Sequence, residues 1–492
     1  MKIHIKNIGM LDEAEFEVGD LTLICGENNT GKTYATYSLY GYLDFIGDNP
    51  KPFLFELLLF VMNAYSDSME IQDDKMQISI ENFKNVLIHL SEILRKNFKN
   101  TLLEVLAGKE EDVENSVFED DLLLKFSSFI QSANNEENLK KVSDFFKYSP
   151  TFELYEINNK TIIFNYEKSK KRFDERMQYN VDAKRQKFWL LLIGYIFSRL
   201  YPIPFILSTE RTGATMFQKE LDVNKNEIVE QISRANGKNI EETVFNVLNA
   251  RYSRYPKPVK DNIYFVRELD EVAKQTSFIK KSEKENPLYK EIIELLCQVV
   301  GGKYIVSPEG IEFAPGAKQR VMKGKILVQR ASSSVRSLLM LNYYVLHRAQ
   351  IGDILMIDEP ELNLHPKNQI LVARLLALLV NAGIKVFITT HSDYIVRELS
   401  NCIMLKNLSV EQIEKFKKQG YSKEYGLESK KVKAYLAENI KRKNTLKVVK
   451  ITQEQGIFME TFDEPIDTQN ENQGLIFEEV IRSKGDSNDN NK

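Results

Sequence analysis

Disulfide chemistry, metal clusters and membrane anchorage find little material in this chain. Only three cysteines occur in 492 residues, Cys25, Cys297 and Cys402, far apart and with no Cys-x-x-Cys pair. That excludes a disulfide framework and a cysteine-built zinc site, and it suits a reducing, cytoplasmic compartment. Five scattered histidines are too few for a histidine-rich metal site. Neither sign of charge is in excess, with a net charge of -3, so no global basic surface announces nucleic acid. There is no internal repeat and no sustained heptad pattern. Met1-Lys2-Ile3-His4-Ile5 alternates like a strand and has no signal-peptide core. The one long apolar run, Phe188–Leu207, contains Arg199, Pro202 and Pro204. It reads as a buried helix followed by a buried strand, so no membrane partner is expected.

Against these absences stands one dense motif. Gly26-Glu27-Asn28-Asn29-Thr30-Gly31-Lys32-Thr33 follows the apolar run Leu21–Cys25 and opens a helix from Tyr34 onward. The spacing is that of a phosphate-binding loop, G-x-x-x-x-G-K-[ST]. Its glycines let the backbone curl so that N–H groups face inward at a helix N-terminus, where the dipole favours an anion. Lys32 is placed to reach the β- and γ-phosphates and Thr33 to ligate Mg²⁺, which makes ATP and Mg²⁺ the expected cofactors.

A second motif lies far downstream. Ile354-Leu355-Met356-Ile357 is a four-residue apolar strand that ends in Asp358-Glu359-Pro360. Asp358 is placed to hold Mg²⁺ and Glu359 to orient and deprotonate an attacking water. His391 closes another apolar strand, Lys385–Thr390, and is read as a γ-phosphate contact. Ser208-Thr209-Glu210-Arg211 ends an apolar strand in the same manner, which points it into a ligand crevice.

The remainder is read coarsely. Residues 2–25 are expected to form a β-meander that feeds the loop, and 33–46 a helix. Residues 53–145 read as helical, with hairpins at Thr151–Tyr155/Thr161–Tyr166 and at Lys303–Val306/Gly310–Phe313. Lys168–Arg176 reads as a basic, solvated helix face, and Lys325–Gln329 as a strand. The segment 411–447 reads as a Lys-rich helical stretch, followed by short strands at Leu446–Ile451 and Ile457–Phe462 and a helix near Leu475–Ile481. Five regions are expected: 1–48 with the phosphate loop, a mainly helical insertion 49–300, 301–408 with the downstream motifs, an extension 409–483, and a disordered tail 484–492.

Together these motifs resemble the ATP-binding-cassette type of AAA ATPase found in chromosome-maintenance, Rad-type repair and OLD-like proteins. Under that resemblance Gly26–Thr33 matches Walker A, Ile354–Glu359 Walker B, Glu361–His365 the D-loop and His391 the switch histidine. The signature motif, Leu-Ser-Gly-Gly-Gln in the family, is replaced by Ala331-Ser332-Ser333-Ser334-Val335-Arg336, without the two glycines. Ser332, Ser333 and Arg336 are its nucleotide-binding candidates. The implied fold is an α/β, ABC/SMC-like P-loop ATPase head with a large, mainly helical insertion between Walker A and the signature. The implied assembly is a homodimer of heads, extendable to a higher oligomer, with two sandwiched nucleotides.

After residue 400 no Asp-x-Asp strand and no HNH-like histidine cluster occurs, so no nuclease is expected within this chain. Stand-alone ATPases of this sort resemble the ATPase components of bacterial two-gene anti-phage systems. Arg254-Tyr255-Pro256, the Thr389–Asp393 block and Thr461-Phe462-Asp463 make the chain similar to the PARIS-type group. That resemblance implies a slow ATPase acting as sensor and scaffold. It would hold and release a separate TOPRIM- or HNH-type effector nuclease when a phage protein triggers it. The alternative is a DNA-repair or chromosome-maintenance ATPase, with DNA contacted by Lys430, Lys431, Lys433, Lys441, Arg442 and Lys443.

Overall fold

The computed structural model describes residues 1–48, 56, 59–60, 69–72, 75–132, 136–147, 149, 152–158, 160–165, 181–217, 255–307, 310–316, 324–458 and 467–478. The basic run Lys168–Arg176, Arg254, Thr461–Asp463 and the tail 484–492 lie outside them.

Two kinds of strand are present, and their sequences differ accordingly. β1 (Lys2–Ile8) and β2 (Leu11–Glu17) alternate, burying Ile3, Ile5, Ile8, Leu11, Ala14 and Phe16 on one face and pairing antiparallel. β3 (Leu21–Gly26) is buried along Leu21–Cys25 and belongs to a different sheet, so the expected meander breaks after β2. The chain then enters α1 (Lys32–Asp48) directly from the loop.

Residues read as wholly helical contain three strands. β4 (Met69–Gln72) and β5 (Lys75–Ser79) precede α2 (Ile80–Leu106), and β6 (Val117–Asp120) follows it. α2 is capped by Ser79, which accepts from Asn82 N–H, and stops at Ala107 in a left-handed conformation. Its stripe Phe83, Val86, Leu87, Leu90, Leu94 and Phe98 recurs at helical spacing and is buried. β6 returns to pair with β1, which completes a three-stranded sheet β2-β1-β6. The expected hairpin forms as β7 (Glu153–Ile157) and β8 (Thr161–Asn165), within a second antiparallel sheet of order β4-β5-β8-β7. Phe188–Leu207 is the end of α3 (Val181–Leu200) followed by β9 (Pro204–Leu207). No helix among the described residues is long and apolar enough to cross a membrane.

The second expected hairpin is β10 (Gly302–Ser307) with β11 (Gly310–Pro315). The strand read at Lys325–Gln329 shrinks to β12 (Ile326–Leu327), because Val328–Arg330 turn into a short 3-10 helix. β13 (Ile354–Asp358) and β14 (Lys385–Thr390) follow, with β15 (Val432–Ile440) and β16 (Lys443–Val448) after them. The central sheet has the order β16-β15-β3-β14-β13-β9, parallel throughout except for the antiparallel edge strand β16. Thus 432–448 is a hairpin and not a helix, which corrects the helical reading of 411–447. Pairing with β3 buries Val432, Ala434, Tyr435 and Ala437, and that tertiary gain overrides the helix-forming Lys, Ala, Leu and Glu of the segment.

Alternate side chains of the central strands feed two cores. Ile24, Met356 and Phe387 face α1, α2 and the N-terminal sheet. α4 is the short helix Arg211–Met216. Leu23, Leu355, Ile357 and Ile388 face the other side, with Leu339 of α5 (Ser333–Tyr343), Leu376 of α6 (Pro366–Asn381) and Leu399 of α7 (Asp393–Leu405). Each fully buried aliphatic side chain contributes about 1.5–3 kcal/mol. The sheet is therefore clamped from both faces, and its carboxyl edge is a firm platform.

Candidate nucleotide site

Three adjacent parallel strands, β3, β14 and β13, end at one edge, and the polar motifs extend from those ends. Gly26 ends β3 with φ +140°, and a Cβ there would lie 2.2 Å from the Ala437 carbonyl oxygen of β15. Only glycine lets the loop leave the sheet at this point. Asn29 and Gly31 are also left-handed, at φ +62° and +92°, so the loop curls before α1 begins at Lys32. Thr30 Oγ1 donates to the Glu27 carbonyl at 2.8 Å.

Lys32 is buried and folds into its own loop, donating from Nζ to the carbonyls of Gly26 at 3.0 Å and Glu27 at 2.5 Å. Burial lowers its pKa, opposed by the carboxylates of Asp358 and Glu359. Thr33 Oγ1 donates to Asp358 Oδ2 at 3.1 Å, which joins residues 325 apart in the chain. The Thr389 hydroxyl donates a short bond to the other carboxylate oxygen of Asp358. Asp358 is 1% exposed, and burial raises its pKa against the pull of those two hydroxyls.

Glu359 sits one residue beyond β13 and has φ +53°, a conformation rare for a residue with a side chain. Its N–H donates to the Thr389 carbonyl at 3.1 Å. His391 Nε2 lies 3.6 Å from Glu359 Oε1, an approach too long for a hydrogen bond. Burial, then Lys32, lowers the His391 pKa, which favours the neutral imidazole. Glu361 fixes the His391 backbone by accepting from its N–H at 2.6 Å and from Thr390 Oγ1 at 2.8 Å. His365 is turned away to cap α6, accepting from Lys367 N–H at 3.2 Å.

Ser332, Ser333 and Arg336 make no hydrogen bond to this cluster among the described residues. Ser332 caps α5, accepting from Val335 N–H at 3.4 Å, and pairs with Ser334 Oγ at 2.9 Å. Arg336 donates back to the carbonyls of Ala331 and Gln329.

Sequence reading gives Tyr37 no role, names Thr389 and Glu361 only as members of longer motifs, and places Arg211 only in the strand end Ser208–Arg211 that points into the crevice. Tyr37 donates from α1 to Glu210 Oε2 at 3.1 Å. Arg211 is buried and reaches the carbonyls of Asp358 and Glu359. Burial pushes its pKa down to about 10, which leaves it charged at neutral pH. The only signal for Arg211 was its place after an apolar strand.

The donor set suits a nucleotide and a hard cation. A hydroxyl and a carboxylate oxygen already face each other, as Mg²⁺ ligation with water requires. Among the described residues no group of three or more His, Cys, Asp or Glu forms a protein-only metal cage. Magnesium held partly by phosphate and water needs no such cage.

The family model of the AAA ATPase domain matches residues 1–396. No curated protein matches the chain. Among solved structures, the Smc head bound to the C-winged helix domain of ScpA is 10% identical with a TM-score of 0.31, over 91% of this chain and 97% of that one. An Smc head domain with an extended coiled coil, bound to the C-terminal domain of ScpA and derived from Pyrococcus furiosus, is 11% identical with a TM-score of 0.27. It covers 96% of this chain and 98% of that chain.

Proposed function

This chain belongs to the AAA ATPase domain family, and from that premise we propose that it binds Mg²⁺–ATP at the edge of β3, β13 and β14 and hydrolyses it slowly. The observation that carries the reading is Thr33 Oγ1 facing Asp358 Oδ2 at 3.1 Å, with Glu359 and His391 at the same edge. Gly26–Thr33 cradles the phosphates, and Lys32 supplies the cation at the loop. Thr33 and Asp358 hold Mg²⁺. Glu359 takes the proton of the attacking water, and His391 contacts the γ-phosphate. Bound Mg²⁺ would neutralise charge on the phosphate oxygens while water displaces ADP from the γ-phosphorus. The local bonding of Ser332 and Arg336, apart from the Thr33–Asp358 cluster, supports a second head as the target of Ser332, Ser333 and Arg336. In that arrangement the exposed start of α5 meets the phosphates of a partner chain in a homodimer. Glu359→Gln is expected to keep nucleotide binding and lose roughly 10²–10⁴-fold in turnover. Phosphate release at the wild-type rate would refute the assignment.

At the biological level, we read the chain as the cytoplasmic sensor and scaffold of an anti-phage system that holds an effector nuclease while ATP is bound. The support is the family resemblance together with the absence of nuclease motifs from the sequence. Tagged wild type and Lys32→Ala, purified from native cells, give the test. A nuclease-like partner present with the first and lost with the second is the expected result. Recovery of DNA and repair proteins from both would favour the chromosome-maintenance reading. Lys430, Lys431 and Lys433 form surface pairs with Glu428, Asp20 and Glu17, near the Lys441-Arg442-Lys443 turn in the sequence.

A further inference from the structure

Three main-chain carbonyls converge on one buried guanidinium. Arg211 Nη1 donates to the carbonyls of Ser208 and Asp358, each at 2.8 Å, and Nη2 to that of Glu359 at 2.6 Å. None of these partners is a carboxylate, so the arrangement differs from an ordinary ion pair. A planar fork can span the carbonyls of two successive residues, whereas an ammonium is a point donor. The peptides it spans are those on either side of the Glu359 Cα, the residue with φ +53°. Glu359 is therefore held from two directions: its N–H by Thr389 of β14, its carbonyl by Arg211 and by Leu362 N–H at 3.1 Å. Left-handed residues persist only where the surroundings over-determine them, and Arg211 is the side chain among these partners.

The clamp is itself anchored. Asn262 accepts from Ser208 N–H at 2.9 Å and donates to the Ile206 carbonyl at 2.6 Å. Glu210 receives the Tyr37 hydroxyl from α1, the helix that begins with Lys32. Thr212 Oγ1 accepts from Asn363 Nδ2 at 3.3 Å, just beyond the clamped turn. The loop after β9 thus joins the phosphate-loop helix to the backbone that carries Glu359.

We propose that Arg211 is a positioning residue for hydrolysis, fixing the left-handed turn that aims the Glu359 carboxylate. The inference rests on the hydrolytic reading above. It requires no contact between Arg211 and nucleotide, so Arg211 acts on turnover and not on affinity. The test uses the full chain and four proteins: wild type, Arg211→Lys, Glu359→Gln and the double variant. Affinity is read with a fluorescent ATP analogue and Mg²⁺, turnover by phosphate release. Arg211→Lys is expected to bind nucleotide like wild type and to lose roughly 10²-fold in turnover, the scale of a small misplacement of a reacting group. The double variant is expected to match Glu359→Gln, because a residue acting through Glu359 has nothing left to position. Wild-type turnover by Arg211→Lys, or the same fold-loss repeated in the Glu359→Gln background, would overturn the inference alone. Wild type that binds Mg²⁺–ATP and never releases phosphate would overturn the hydrolytic reading and take the inference with it. Should Arg211→Lys fail to fold, Tyr37→Phe replaces it in the same cycle. A smaller turnover loss, absent in the Glu359→Gln background, is then expected, and an equal loss in both backgrounds would overturn the inference.

Discussion

Two of the helix starts that the sequence motifs single out carry hydroxyl side chains, and the fold treats them in opposite ways. At the start of α1, Lys32 is 6% exposed and Thr33 bonds across the chain to Asp358. At the start of α5, Ser332 is exposed, and its bonds stay within three residues of itself. The first start is completed by two neighbouring strands of the same chain. At the second, among the described residues the Ser332 hydroxyl bonds only within its own turn, to Val335 N–H and Ser334 Oγ. Thr33 and Ser332 are both exposed, so the difference lies in their partners: a strand end more than three hundred residues away for the first, its own turn for the second.

That contrast can be broken at its strong end first. Lys32→Ala removes a cation from the enclosed start. It is expected to weaken Mg²⁺–ATP binding by roughly 10- to 150-fold, the worth of about 1.5–3 kcal/mol of charge-assisted hydrogen bonding. Titration with a fluorescent nucleotide checks it, and unchanged affinity would move the nucleotide elsewhere. Gly41→Val attacks the packing beneath the same helix. Any Cβ at Gly41 would lie 2.3 Å from Val105 of α2, so α1 must shift. A loss of about 1–3 kcal/mol in thermal or denaturant stability is expected.

Ser332→Ala sharpens the other side. Loss of the cap is expected to cost about 1 kcal/mol. Binding of nucleotide to the monomer should be unaffected, whereas turnover should fall where heads associate. A drop in monomer affinity would instead place Ser332 in its own chain's site. Lys433→Ala is the mildest change, since the pair with Glu17 is exposed and worth about 0–1 kcal/mol. The Lys433 hydrogen bond holds the Glu17 pKa below its ordinary value. A depressed carboxyl adds stability above its unfolded pKa and loses it as pH falls through the folded one. The small gap in melting temperature between variant and wild type should therefore close under acid.

The polar motifs were readable because each is a local pattern with a strong physical reason. Leu21–Cys25 and Ile354–Ile357 are continuous apolar runs, as strands buried on both faces must be, and each ends in the residues that form the site edge. β15 failed that test. Val432–Ile440 mixes Lys, Ala, Leu and Glu, and its strand state depends on β3, which lies more than four hundred residues earlier. β6 has four residues between helices, too short to show a period. Arg211 was visible as a polar residue after a strand. Nothing near it indicates that its guanidinium ends on carbonyls 147 and 148 residues later.

Chemical identity was therefore written locally. A glycine-bounded loop ending in Lys-Thr, an apolar run ending in Asp-Glu and a strand ending in Thr-His each specify groups that hold phosphate, cation and water, whatever surrounds them. Arrangement was settled by packing at a distance. The pairing of β3 with both β14 and β15, the return of β6 to β1 and the clamp of Arg211 on Glu359 all join residues remote in the chain. Such contacts arise from burial and from the need to satisfy buried carbonyls, and neither is encoded in any single stretch of sequence.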